Sequence, residues 1–483
     1  MAYKDLREFL KLLESKGLLK RINAEVDPVL EITEITDRMC KSPGGGRALF
    51  FENVKGSAYP VVTNIFGSFE RMCLALEVQR LDDVAGRIEE LLSQAAPKTL
   101  LEKIALLPKL FEFSRYFPKS VKNAPCQEVI EKDNPDLSRF PVLKCWTGDG
   151  GRFITLPMVF TKDPETGMQN CGMYRIHIYD KTTTGMHWHI HKDGARHYDK
   201  YKALKKRMPA AIAVGSDPAV IYSATAPLPS SVDEMIFAGF LRKEPVEMVK
   251  CITSDIEVPA NSELVIEGYL EPGELRLEGP FGDHTGFYSA ADQYPVFHAA
   301  CITHRKDMIY PATIVGKPPM EDCYMGKATE RIFLPLLRLD FPEIKDFNLP
   351  MEGVFHNAAL ISIKKSYPGH AKKIIHGLWG KGQMMFSKLL IIVDDDVDVQ
   401  NISYTAWRIL NNVDWKRDVV IAEGPVDDLD HSASWPRYGS KMGVDATRKT
   451  KEEGMMRDWP KELFMSEEIK KLVAARWKEY GFE

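Results

Sequence analysis

From residue 116 to about residue 330, glycines and prolines break the chain at close intervals, and the stretches between them are built from strand formers. Residues 154–160, 173–179, 211–214, 247–252, 263–270 and 297–304 all read as extended. Many short strands joined by frequent turns curl into a barrel or a sandwich, because long helices that could cover a doubly wound parallel sheet are missing between them. The flanks differ. Residues 1–115 mix helices with short apolar strands such as 47–52 and 61–66, and residues 331–483 return to alternating helix and strand. The expected organisation is a multidomain α+β chain: an N-terminal α/β domain over 1–115, a central β domain over 116–330 and a C-terminal α/β domain over 331–483. With 483 residues the chain exceeds what one hydrophobic core serves, which supports such a division.

Near the start, Leu6, Phe9, Leu10 and Leu13 form one helical stripe, with Asp5 placed to cap it and Gly17 to end it, the pattern of a folded domain rather than a secretory leader. Near the other end, Ile469, Leu472, Val473 and Trp477 make a second stripe behind Ser466, and a terminal helix of this kind docks on its own domain or on a second subunit. Residues 389–393 read as a buried parallel strand running into Asp394, Asp395 and Asp396. That run is far shorter than the roughly 20 apolar residues a bilayer span needs, which leaves at most a peripheral membrane contact. Charge is balanced, 64 Lys+Arg against 68 Asp+Glu, so the chain lacks the basic character of a nucleic-acid binder. Its eight cysteines form no C-x-x-C pair, which fits a reducing cytoplasm.

Glu278 and Asp283 bracket a Glu-Gly-Pro-Phe-Gly-Asp loop inside LEGPFGDHTGF, residues 277–287. Pro280 and the glycines rule out a helix, so the two carboxylates meet through turn geometry if they meet. Two acids in one rigid loop repel, and one pKa rises unless a cation lies between them. On its own, an acidic glycine-rich loop is more often a turn than a site. A cation is available in NCGMYRIHIYD, residues 170–180, where strand alternation puts Arg175, His177 and Tyr179 on one face and Tyr174, Ile176 and Ile178 on the other. A guanidinium on such a strand needs an anion, and Glu278 and Asp283 are candidates.

Further on, His187, His189, His191 and His197 crowd into eleven residues, either as a half-exposed polar face or with one as a metal ligand. No second cluster supplies zinc ligands; one His with a carboxylate and an amide oxygen suits Mn2+ or Mg2+ holding a phosphate. Glu234 opens a helix after a proline-rich loop, where the free N–H groups favour an acid whether or not it binds a metal. The triple glycine Gly44–Gly46 reads as a plain turn, because the Lys-Ser/Thr sequel of a phosphate loop is absent.

Eight segments in matching order carry a resemblance: NCGMYR, HIHKDGARHY, VDEMIFAGFLR, VKCITSDIEVPA, LEGPFGDHTGFY, IKKSYPGHAKK, the strand ending in three aspartates, and GSKMGVDAT. Along its length the chain resembles the UbiD-type decarboxylases, which use prenylated FMN, and is most similar to the bacterial 4-hydroxybenzoate and polyprenyl-hydroxybenzoate branch. The resemblance implies that the central domain is a split β-barrel of flavin-reductase type. It implies that Asn170, His191 and Glu234 hold Mn2+ (or Mg2+), with K+ as a further cation, and that Met173, Tyr174, Arg175, His187, Trp188, His189, Lys192 and Asp193 line the flavin. Lys388 matches a lysine expected near the phosphate. The family's catalytic trio falls on Glu278, Arg175 and Asp283, the last an Asp where fungal cinnamate-type relatives have Glu, which leaves room for a different substrate.

Loss of CO2 from an aromatic carbon leaves an electron pair that no side chain delocalises, so a cofactor must be the electron sink. In the implied mechanism Arg175 orients the trio, Glu278 stays ionised, and Asp283, with a raised pKa, gives the proton that replaces CO2. Implied substrates are an aromatic carboxylic acid: 3-polyprenyl-4-hydroxybenzoate or 4-hydroxybenzoate, a menaquinone-pathway naphthoate, or a small hydroxybenzoate that is decarboxylated or carboxylated. Implied partners are a flavin prenyltransferase that supplies the cofactor and further copies of the chain, as a dimer or hexamer. Two other readings stand beside this one. A non-catalytic flavin-binding subunit predicts loss of the trio, and a haloacid-dehalogenase-like phosphotransferase with Asp394 as nucleophile needs further motif residues in the short stretch that follows.

Overall fold

The computed structural model describes residues 2–93, 114–189, 192–228 and 232–482. Asp5 caps the first helix, Leu6–Ser15, by accepting from the Glu8 amide, and Leu6, Phe9, Leu10 and Leu13 are its buried residues. This helix packs on a four-stranded sheet in which Leu19–Val26, Ala48–Val54 and Val61–Thr63 lie side by side and Tyr310–Pro311 adds the last strand from far along the chain. The expected strand 61–66 stops at Thr63 because Asn64 turns to a positive φ of 58°. From there its side-chain amide reaches the Gly45 and Arg47 carbonyls, both at 2.9 Å. Buried Arg71 takes the Gly46 and Gly45 carbonyls at 2.5 and 3.0 Å, so the triple glycine is a turn that satisfies a guanidinium.

The central sheet has nine strands, all paired antiparallel. Its path runs Arg152–Ile154, Ile176–Ile178, Thr183–Met186, Asp292–His304, Leu264–Glu278, Met208–Val214, Pro157–Lys162 and Gln169–Gly172, with Val129–Glu131 pairing Asp292–His304 off that path. The sheet curls into a half-barrel. Met208–Val214 shows why its strands read as unbroken apolar runs: Ala210, Ile212 and Val214 join one core, while Ala211 and Ala213 join the other. Of the expected strands in this sheet, one is split and one is shortened. Residues 154–160 divide after Ile154, and the chain crosses from one end of the sheet toward the other before Pro157–Lys162. Residues 173–179 keep only Ile176–Ile178 as a strand, because at Met173 the backbone leaves the sheet and its amide donates to the Ala224 carbonyl at 2.8 Å.

Leu264–Glu278 and Asp292–His304 are the longest strands and form one ribbon, paired from Leu264 and His304 to Glu278 and Asp292, with an irregularity between Leu270 and Leu275. The acidic loop is the tip of this ribbon. After the helix Glu321–Asp340, a five-stranded sheet follows in the order Ile344–Asn348, Ala358–Ile363, Leu389–Asp394, Tyr438–Asp445, Val419–Pro425. Leu389–Asp394 is parallel to both its neighbours, as its apolar run predicts. Asp394 is tied up by the Arg448 amide at 2.9 Å and by Arg408 at 3.6 Å. The helix Glu467–Ala475 is capped by Ser466, yet Ile469, Leu472 and Trp477 are 41, 49 and 44 % exposed, so this stripe does not dock on its own domain. All eight cysteines are free thiols, and no described helix is long and apolar enough to cross a membrane.

Candidate active site

The ribbon tip is pinned before any functional side chain is considered. Gly279, at φ 87°, donates its amide to His177 Nδ1 at 3.3 Å, the Pro280 carbonyl accepts from Gly150 at 2.7 Å, and the Gly282 amide donates to Asp149 Oδ1 at 2.8 Å. A side chain at Gly282 would put its Cβ 2.2 Å from the Trp146 ring, so only glycine fits there. The Asp283 amide and carbonyl close the turn on Phe287 and Gly286 at 3.0 and 2.9 Å.

Into this frame Arg175 projects from the break before Ile176–Ile178. Its Nε and Nη2 each meet a Glu278 carboxylate oxygen at 3.0 Å, and its Nη1 donates to Asp283 Oδ2. Phe281 lies against the guanidinium, 4.8 Å from Cζ to ring centroid. The three side chains are 7, 0 and 11 % exposed, so the contacts are shielded from water. His187 Nδ1 donates to the second Glu278 oxygen at 3.0 Å, and its Nε2 is 3.1 Å from His189 Nε2. The expected alternation holds: Arg175, His177 and Tyr179 turn toward the ribbon, and Tyr174 and Ile176 enter the core.

Burial alone would raise the Glu278 carboxyl, but the His187 and Arg175 hydrogen bonds and the guanidinium charge outweigh it and hold the pKa at about 2. Asp283 behaves likewise: burial is overcome by hydrogen bonds and charge from His284 and by Arg175, and the carboxyl sits well below its ordinary range. This corrects the raised pKa expected for Asp283. Arg175 and the titratable His284 ring both face that carboxyl, and the sequence pattern had supplied only the arginine. His284 moves the other way, raised despite burial because it hydrogen-bonds and faces Asp283.

Among the expected metal ligands, Asn170 on Gln169–Gly172 and Glu234 at the start of the helix Glu234–Arg242 come together, because Glu234 Oε2 accepts from the Cys171 amide at 2.9 Å. Asn170 Nδ2 is buried without a hydrogen-bond partner, and burial drives the Glu234 carboxyl up to about 7. His191 lies outside the described residues. Beside it, Lys192 caps the helix Asp193–Ala203, its ammonium pKa lowered by burial with Asp427 as the facing charge. Asp193 pairs with Arg196. Trp188 is buried edge-on to Tyr174 at 6.1 Å, and Met173 packs at the rim of the N-terminal core. Lys388 is bonded to Asp430 and Ser432 at 2.8 and 2.6 Å.

Several groups here had gone unread in the sequence: Asp149, Tyr294, His284, His356, Asp427 and Asp428. Only His284 carried a signal, being next to Asp283 in the quoted motif. The others come from distant segments. Tyr294 stacks near His187 with centroids 4.2 Å apart, and Asp428 faces His189 Nδ1 at 3.8 Å.

Three models of the 3-octaprenyl-4-hydroxybenzoate carboxy-lyase family match the chain in order: the N-terminal domain over residues 10–91, the Rift-related domain over 119–318 and the C-terminal domain over 323–446. An uncharacterised protein of Archaeoglobus fulgidus is 50 % identical over 481 residues, 99 % of each chain. Among solved structures, the closed form of vanillic acid decarboxylase from Sedimentibacter hydroxybenzoicus superposes with a TM-score of 0.85 at 30 % identity, covering 99 % of both chains. An evolved dimeric form of the UbiD-class enzyme HmfF from Pelotomaculum thermopropionicum, in complex with prenylated FMN, gives a TM-score of 0.80 at 28 % identity over 98 % of this chain and 100 % of that one. Three domain models in sequence and a fold shared end to end with UbiD-class enzymes lead to one conclusion: this chain belongs to the UbiD family of carboxy-lyases.

Proposed function

We propose that this chain is a prenylated-FMN-dependent, non-oxidative decarboxylase of a hydroxylated aromatic acid, with 4-hydroxybenzoate or its 3-polyprenyl derivative as the leading substrate. The observation that carries the reading is Arg175 held bidentate by Glu278 and bonded to Asp283 in a site closed to water. When bound, the prenylated flavin supplies the electron sink that the side chains lack. Arg175 keeps Glu278 ionised and fixes Asp283 by one oxygen, leaving the other on His284, so that the carboxyl is aimed and ready to pass a proton to the carbon that loses CO2.

Asn170 and Glu234, with His191, would hold Mn2+ or Mg2+ and through it the cofactor phosphate; K+ is the proposed second cation. The donor set fits: no partner holds Asn170 Nδ2, so the buried amide is free to turn its oxygen to the site, beside a buried Glu234 carboxyl that no described cation neutralises, an oxygen-rich set suited to a hard divalent ion. The flavin comes from a prenyltransferase, and the reading assigns the protein to the cytoplasm. The apolar stripe Ile469, Leu472 and Trp477, uncovered among the described residues, supports a homo-oligomer in which this helix docks on a second copy.

The test is to co-produce the chain with a flavin prenyltransferase, confirm the flavin by its absorbance, and screen 4-hydroxybenzoate, its prenylated forms, vanillate and 1,4-dihydroxy-2-naphthoate for CO2 release and for carboxylation of the product in bicarbonate. CO2 release from a hydroxybenzoate is expected. A flavin-loaded protein inert toward every acid in both directions refutes the reading.

A further inference from the structure

His284 and His356 form an arrangement that the decarboxylase reading uses only to aim Asp283. His284 Nδ1 lies 2.9 Å from Asp283 Oδ1, the same oxygen that accepts from the His284 amide at 2.8 Å, and its Nε2 lies 2.8 Å from His356 Nε2. His356 is brought there by the turn between Met351–Gly353 and Ala358–Ile363, in which Val354 and Phe355 both take a positive φ, 45° and 52°. Such a backbone is uncommon for bulky residues and is kept where the surroundings over-determine it. The Phe355 ring stacks on His284 with centroids 5.1 Å apart. His356 Nδ1 is buried without a hydrogen-bond partner, as are both carboxylate oxygens of Asp322 at the start of the helix Glu321–Asp340.

Hydrogen-bond chemistry fixes one proton on this line and gives two placements for the next. A carboxylate only accepts, so His284 carries its proton on Nδ1. Two nitrogens 2.8 Å apart need one proton between them. If His284 supplies it as well, that ring is an imidazolium, and His356 accepts at Nε2 while keeping its own proton on Nδ1. The charged groups around the pair favour this state. Asp283, Asp322 and Asp427 all act to raise the His284 pKa, His356 is lowered to about 4 by burial and by His284, and Asp427, Asp283 and Asp430 oppose that fall. Arg175 faces the ring from beyond Asp283.

We propose that His284, held doubly protonated between Asp283 and His356, is the proton store of this site, and that its Nδ1 proton passes to Asp283 Oδ1 and from the Asp283 carboxyl to carbon. The balance is one proton per turnover. The new C–H bond uses the electron pair left when the bond to CO2 breaks, Asp283 returns to carboxylate, His284 is left neutral, and water recharges it after the product leaves. This explains how a carboxyl held well below its ordinary range serves as an acid: it conducts a proton stored on its neighbour. His284 acts through Asp283 and is a positioning and supplying residue. The proton's destination rests on the decarboxylase reading; the protonation state of His284 does not.

The test has two arms. In the first, protein labelled with 15N-histidine, twelve rings in all, is titrated by NMR as wild type, His284→Gln and Asp283→Asn. One ring should stay doubly protonated at pH 7.5, vanish in His284→Gln, and titrate at lower pH in Asp283→Asn. A His284 ring that is neutral at pH 7 overturns the proposal, whatever the enzyme decarboxylates. In the second, flavin-loaded wild type and variants are compared with 4-hydroxybenzoate, or with the acid from the screen that releases CO2. His284→Gln keeps a donor for Asp283 but cannot titrate, and it should lower kcat by about 100-fold or more with flavin content unchanged and the basic limb of the pH profile gone. His356→Phe removes the Nε2 acceptor and should move that limb to lower pH. A His284→Gln enzyme with wild-type kcat and an intact basic limb overturns the proposal; a wild-type enzyme inert to every acid counts against the decarboxylase reading alone, and the titration still decides the state of His284.

Discussion

Replacing Arg175 by Met should do more than abolish turnover; it should reverse how the central domain responds to pH. In the native site Arg175 stands between two carboxylates that are 0 and 11 % exposed. Taking one partner from a buried charge pair costs about 3–5 kcal/mol, because the remaining charge is left uncompensated. The electrostatics set an upper bound: lowering Glu278 from 4.5 to about 2, the joint effect of His187 and Arg175, corresponds, at 1.36 kcal/mol per pKa unit, to about 3 kcal/mol of stabilisation at neutral pH. A depressed carboxyl contributes stability that is present above its unfolded pKa, near 4.5, and lost as the pH falls through about 2, so this group leaves the wild type insensitive between pH 5 and 8. In Arg175→Met, burial and the nearby Asp283 carboxylate are opposed by the His187 hydrogen bond alone, and the folded pKa rises above the unfolded one. The sign then inverts: stability is present at low pH and lost as pH rises. Thermal unfolding followed by intrinsic fluorescence from pH 5 to 8 reads both effects, with the unfolding temperature falling by roughly 6–20 °C at pH 8 and recovering in part at pH 5, at ~2–4 °C per kcal/mol for a domain of this size. A variant whose unfolding temperature lies within about 2 °C of wild type across that range would refute the reasoning.

Asp283→Asn should keep the flavin and lose about 100-fold or more in kcat, read as CO2 release by the loaded protein; a near-native rate would remove Asp283 from the proton path. Glu234→Gln should release both metal and flavin, measured by elemental analysis and absorbance of purified protein, and full occupancy of both would dismiss the ligand assignment. Putting Glu at Leu472 and Trp477 together should lower the oligomeric state in sedimentation velocity without unfolding the chain, since both side chains are half-exposed; an unchanged assembly would move the interface elsewhere.

Local order was legible because it rests on periods that the backbone imposes. The stripe of Leu6, Phe9, Leu10 and Leu13 follows the 3.6-residue helical period, and the facing of Arg175, His177 and Tyr179 follows the strand period of two. The trio was legible for another reason: a guanidinium on a largely buried strand must find an anion, and two acids in a rigid loop must find a cation. What composition and spacing left open was which residues 103 and 108 positions apart would meet, and how many cations would face each acid.

Those matters were decided by tertiary structure. The chain leaves the sheet at Met173, so the expected strand 173–179 shortened to Ile176–Ile178 and Arg175 was carried to the ribbon tip. His284 and His356, 72 residues apart, met only because the turn before Ala358–Ile363 packs against that tip. Asp283, expected to hold a proton, is held ionised by its sequence neighbour His284 and by Arg175, which the fold brings from 108 residues away. Sequence alone determined the elements, their buried faces and the need for an ion pair, because these depend on neighbours within a few residues. The protonation of each group depends on charges within about 4–6 Å in space, and only the fold brings those together.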